Sequence, residues 1–91
     1  MPPQCRLGDM ADGHPPYPPT NAIKGSPNVM VNGKPAVRLG DDFAPHCPIP
    51  KLILAKGSSK VMINGKPAGR VGDNLNCPAK VVKGSPNVIT G

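Results

Sequence analysis

Lys24-Gly25-Ser26-Pro27-Asn28-Val29-Met30-Val31-Asn32-Gly33-Lys34-Pro35-Ala36-Val37-Arg38-Leu39-Gly40-Asp41 returns 32 residues later as Lys56-Gly57-Ser58-Ser59-Lys60-Val61-Met62-Ile63-Asn64-Gly65-Lys66-Pro67-Ala68-Gly69-Arg70-Val71-Gly72-Asp73. A third copy is present in two pieces. Its first half is Lys83-Gly84-Ser85-Pro86-Asn87-Val88-Ile89 and its second half is Arg6-Leu7-Gly8-Asp9. Ends that complement each other are what a closed three-part ring requires and a linear array does not. The repeats are read as residues 22–41, 54–73, and 81–91 joined to 5–9, within one domain spanning 1–91.

Each copy has the pattern of a β-hairpin. A short run rich in β-branched residues precedes Asn-Gly, the dipeptide whose two positions tolerate the positive φ of a tight hairpin turn. Residues 28–31 and 34–39 are the predicted strands of the first copy. Pro35 early in the return strand suggests an edge or a position without a ladder N–H. In the split copy, Thr90-Gly91 and Pro2-Pro3 are expected in the turn region, with Val88-Ile89 beside Cys5-Arg6-Leu7. The break then falls at a loop tip. Arg-x-Gly-Asp closes every copy, at Arg6/Asp9, Arg38/Asp41 and Arg70/Asp73, and predicts an ion pair or turn cap of structural purpose.

Composition narrows the class. The chain has 91 residues, one Phe, one Tyr, no Trp, 14 Pro and 11 Gly. Long helices are disfavoured and no aromatic core can form. A domain this small is expected to need a metal, a disulfide or a partner as well. The formal net charge is +6, compatible with nucleic acid or an anionic membrane. The basic residues are nevertheless spread through the repeats, without a cluster or a set of stacking aromatics, so no specific nucleic-acid partner is expected. No leader-like or membrane-spanning apolar stretch is evident. Synthesis in the cytoplasm and exit by another route are expected. Pro15-Pro16-Tyr17-Pro18-Pro19 reads as a rigid linker in preference to a polyproline ligand.

Three cysteines cannot all pair within one chain, and no CxxC is present, so metal binding is favoured over a disulfide. His14, His46 and Cys77 follow the three Gly-Asp elements at nearly the same interval. Around a threefold axis they occupy equivalent places. Two imidazoles and a thiolate make a borderline-soft donor set suited to Zn²⁺, with Fe²⁺ the second choice. The fourth ligand is Cys47, a water or an external group. Hydrolytic chemistry at such a site lacks a placed general base, Asp12 and Asp42 being the only nearby acids, and no enzyme activity is expected.

Pro35-Ala36-Val37-Arg38 and Pro67-Ala68-Gly69-Arg70 resemble the Pro-Ala-Ala-Arg signature of PAAR-repeat proteins, with Val37 and Gly69 in place of the second Ala. The surrounding Gly-Ser-Pro-Asn-Val and Arg-x-Gly-Asp strings are similar too, over about residues 5–91. The resemblance implies an all-β fold: a small pointed cone of three pseudo-threefold hairpin repeats, metal-stapled near its vertex. It implies a piercing tip on the trimeric β-helical spike of a contractile injection machine, either a phage tail baseplate or a type VI secretion system. The zinc positions it implies are His14, His46 and Cys77, while the further His of many members is absent from Cys47-Pro48-Ile49-Pro50-Lys51-Leu52. Its implied partners are one spike trimer per tip, the target envelope on puncture, and carried effectors. The competing reading is a free basic metal-binding module for nucleic acid or membrane.

Overall fold

The computed structural model describes residues 2–13, 18–45, 52–76 and 79–91. They contain no helix. Eight two-residue strands form four antiparallel ladders: β1 (Met10–Ala11) with β2 (Thr20–Asn21), β3 (Met30–Val31) with β4 (Lys34–Pro35), β5 (Asp42–Phe43) with β6 (Leu52–Ile53), and β7 (Met62–Ile63) with β8 (Lys66–Pro67). The β3–β4 and β7–β8 hairpins are the predicted ones. Asn32 and Asn64 at φ 54°, followed by Gly33 and Gly65 at φ 76°, supply the left-handed turn that two-residue hairpins need.

The return strands are shorter than the 34–39 predicted. From Ala36, which still donates its N–H to Val29 O of its own hairpin, the chain pairs with a neighbouring copy. Arg6 bridges Ala36, Arg38 bridges Ala68, and Gln4 bridges Arg70. These bridges surround a triangle of main-chain hydrogen bonds. Val37 N–H donates to Cys5 O (3.0 Å), Gly69 N–H to Val37 O (2.8 Å), and Cys5 N–H to Gly69 O (2.9 Å). Each member is both donor and acceptor, so the cycle closes. The polar main chain near the axis is thereby satisfied by its own symmetry.

The split copy forms a third hairpin without a covalent turn. Gln4 N–H donates to Val88 O, as Ala36 N–H does to Val29 O and Ala68 N–H to Val61 O, all at 2.9 Å. Ile89 lies opposite Pro3 and Thr90 N–H donates to Pro2 O. This corrects the expected pairing of Val88-Ile89 with residues 5–7. The observed register is that of Met30 opposite Pro35.

The segments between hairpins are not plain linkers. They carry β1–β2, β5–β6 and an Asn74–Lys80 bridge. These three stems stand side by side, joined by the bridges Ala22–Phe43, Leu54–Leu75 and Ala11–Val81. The apolar interior accordingly splits into two layers. Cys5, Ala11, Ala22, Val37, Phe43, Leu52, Leu54, Leu75, Ala79 and Val81 fill the stems, and Val31, Ala36, Ile63 and Ala68 fill the hairpins. The single Phe is thus core, and among the described residues the apolar interior is otherwise aliphatic apart from Cys5. Gly69 replaces a larger residue because Leu54 takes its space: a Cβ there would lie 2.6 Å from Leu54 Cδ2. The overall dimensions are 32 × 24 × 22 Å, long in one direction and nearly equal in the other two.

Candidate functional site

The fold has two ends, one made by the stems and one by the hairpins. His14, His46, Cys47 and Cys77 lie outside the described residues, as do Pro15, Pro16 and Tyr17 of the Pro-rich stretch. The described residues bracketing them belong to the three stems. Each stem ends in an outer rung, two of them alike and the third a variant. Asp12 N–H donates to Lys80 O (2.9 Å) and Lys80 N–H to Asp12 Oδ1 (2.8 Å). Asn76 N–H donates to Ile53 O and Ile53 N–H to Asn76 Oδ1, both at 3.0 Å. Ala44 N–H donates to Asn21 O (2.9 Å), and the Thr20 hydroxyl donates to Ala44 O. These rungs lie at the same end of the three stems. Among the described residues no three His, Cys, Asp or Glu side chains are grouped for a metal. Asp12, one of the two nearby acids, holds a main-chain amide.

Cys5 is not a thiolate donor. It is buried on the axis triangle, and burial, reinforced by the Asp9 carboxylate, pushes its thiol up to about 12. It stays protonated at neutral pH and packs as a small apolar residue.

The recurring Arg-x-Gly-Asp is structural, as its three copies predict. Arg38 Nε donates to Asp41 Oδ2 and Nη2 to Asp41 Oδ1, both at 2.9 Å, and the same fork joins Arg6 to Asp9 and Arg70 to Asp73. These bidentate hydrogen bonds hold each guanidinium above its ordinary pKa against the opposing effect of burial. A third bond to the carboxylate, from the Arg main-chain N–H to the same Asp, fixes the turn itself.

Sequence reasoning missed the polar network that ties neighbouring hairpins. Asn64 Oδ1 accepts from Ser26 Oγ (2.6 Å) and Arg38 Nη1 (3.2 Å), while Asn64 Nδ2 donates to Asn28 Oδ1 (2.8 Å). Asn32 does the same with Ser85, Arg6 and Asn87. The recurrence of Ser26, Ser58 and Ser85 beside the turn asparagines was the available signal. At the third junction Gly91 stands for the Asn and Lys60 for its partner, so donor and acceptor are absent together. The Ser58 hydroxyl donates instead to Gly91 O.

The hairpin end also exposes apolar side chains in threefold positions. Met30, Met62 and Ile89 are 55%, 57% and 58% exposed. Two chemically different residues reach the same exposure because the backbone places all three alike.

The PAAR motif family profile matches residues 12–83. The chain belongs to the PAAR-motif family. The match spans both complete copies and the stems apart from β1 (Met10–Ala11). The halves at 4–9 and 84–91 lie outside it, yet they complete the third PAAR hairpin. No curated protein matches the chain. Membership puts it among the spike-tip proteins of contractile injection systems, a family of structural components and not of enzymes.

Proposed function

We propose that this PAAR-motif chain caps a trimeric spike through its hairpin end and forms the puncturing point with its stem end. The observation that carries the reading is the crown of Met30, Met62 and Ile89, three equally exposed apolar side chains presented by equivalent hairpins. A surface of this kind in so small a chain fits an apolar, threefold partner. The stem end fits a metal staple. His14, His46 and Cys77 follow stems that are joined in a ring, and two imidazoles with a thiolate suit Zn²⁺. Bound there, zinc would crosslink three segments far apart in sequence and add its binding free energy to folding. Cys47 is the protein candidate for the fourth position. In this reading the chain carries no catalytic residue, and it reaches the envelope as part of a phage tail or a secretion spike.

The test is co-purification with the cognate spike. One chain per trimer is expected, and Met30→Asp with Met62→Asp should abolish it while leaving the melting temperature unchanged. Failure of the wild type to bind any spike trimer sinks the capping role. For the metal, one zinc per chain is expected by elemental analysis. His14→Ala should lose zinc and melting temperature together, and a metal-free wild type of unchanged stability would remove the staple.

A further inference from the structure

The net charge of +6 has a definite location. The three arginines are each neutralised by an aspartate in a bidentate fork. The excess therefore rests on lysines, and Lys24, Lys34, Lys56, Lys60, Lys66, Lys80 and Lys83 are all exposed, with no ion pair among the described residues. Three of them are symmetry mates, each following an exposed apolar residue: Ile23-Lys24, Ala55-Lys56 and Val82-Lys83. Ile23 and Val82 are 52% and 49% exposed. Identical hydrogen bonds set the three pairs at one level. Ile23 N–H donates to Asp42 O, Ala55 N–H to Asn74 O, and Val82 N–H to Met10 O, all at 2.9 Å. That level lies where the stems join the hairpins, away from the crown and from the stem tips.

We propose that these three pairs form a collar that binds the anionic headgroups of a phospholipid bilayer. An ammonium beside a half-exposed aliphatic side chain matches the boundary between headgroup phosphate and acyl chain. Each lysine near an anionic surface adds attraction that fades within a Debye length. Nucleic acid is the poorer match, because the described residues expose no aromatic ring to stack on bases: Phe43 is buried. The threefold arrangement adds a geometric condition. A flat bilayer meets at most two of the three pairs, and a bilayer that surrounds the body meets all of them. Resting here on the reading of the stem end as the puncturing point, the collar grips a membrane that this end has already entered. It uses none of the crown residues, so it stands or falls separately from spike capping.

The test compares two charge-matched triple variants of the whole chain on vesicles. Wild type should bind mixed phosphatidylcholine–phosphatidylglycerol vesicles and not phosphatidylcholine alone, with affinity falling as salt rises. K24E/K56E/K83E should bind at least about tenfold more weakly than K34E/K60E/K66E, which carries the same net charge at other positions. Ile23→Ser with Val82→Ser, which leaves the charge untouched, should weaken binding several-fold and serves if the first triple fails to fold. Equal losses in the two triples would reduce the effect to net charge and overturn the collar. So would absence of vesicle binding, or tighter binding to duplex DNA than to vesicles.

Discussion

Two facets of this molecule are closed by covalent Asn-Gly turns and the third by the meeting of residues 2–5 with 87–91. The bonds Ala36 N–H to Val29 O, Ala68 N–H to Val61 O and Gln4 N–H to Val88 O are equivalent, while Pro2, standing where the others have Lys34 and Lys66, has no N–H to give, and the larger difference lies in side chains. Val31 with Ala36 and Ile63 with Ala68 are apolar pairs, whereas Thr90 with Gln4 is a buried polar pair. Gln4 Nε2 donates to Cys5 O (2.9 Å) and Val37 O (3.1 Å), and its Oε1 accepts from the Thr90 hydroxyl (2.7 Å). Where a turn would otherwise hold two strands together, a fully satisfied amide ties the incoming strand to the axis. The comparison teaches that a missing covalent link can be offset by directional hydrogen bonds in a dry site, where leaving them unmade is costly.

The largest expected effect contrasts ion pairs on a turn-closed and an asymmetric junction. Asp41→Asn strands a buried Arg38 and should cost about 3–5 kcal/mol in denaturant unfolding. Asp73→Asn should cost less, because the Arg70 side chain is 18% exposed against 6% for Arg38 and water can reach it. Equal costs would show that the junctions are energetically alike. Next, Gln4→Ala removes three hydrogen bonds and leaves the Thr90 hydroxyl buried without its partner, for an expected loss of about 2–4 kcal/mol. Adding Thr90→Val, which gives the third facet the apolar composition of the others, should recover about 1 kcal/mol of that. Strict additivity in the double-mutant cycle would mean that the pair is not a clasp.

The axis triangle offers a third, smaller contrast, since only the closing strand brings a titratable group to it. The folded Cys5 pKa lies above the unfolded value, so the native state holds its proton more tightly. The contribution is intact below pH 9 and is lost as pH rises from 9 to about 12. Cys5→Val, which repeats the side chain of Val37 at the equivalent position, should flatten that part of the stability–pH curve measured against wild type. Superimposable slopes would rule Cys5 out as the source. The smallest effect is a gain. Gly91→Asn would offer Ser58 and Arg70 the acceptor their counterparts have, and should raise stability by about 0.5–1 kcal/mol. No gain would mark the open junction as already satisfied by solvent.

The repeat made the hairpins, the threefold closure and the Arg–Asp forks legible, because each depends on residues close in sequence and recurring in phase. The stems were hidden. Met10–Ala11, Asp42–Phe43 and their partners are two-residue ladders in Pro-rich surroundings, too short for any periodicity, and their bridges run between copies. Gln4 and Thr90 were hidden for another reason: partners 86 positions apart leave no local pattern. The register of Ile89 was within reach, since superposing the copies places Pro3 on Pro35. The expectation of metal binding at His14, His46 and Cys77 rests on repeat phase alone, since these residues lie outside the described ones.

The hydrogen-bond triangle also has a consequence in time. Its members are Cys5, Val37 and Gly69, so the earliest of these strands to leave the ribosome must wait for the last before the axis can close. The clasp must then wait for Thr90. Contacts of such sequence separation are paid for in chain entropy before they return anything, which slows folding. No early portion of this chain contains all three members of the triangle, so the axis closes only once Gly69 is present and the clasp only once Thr90 is.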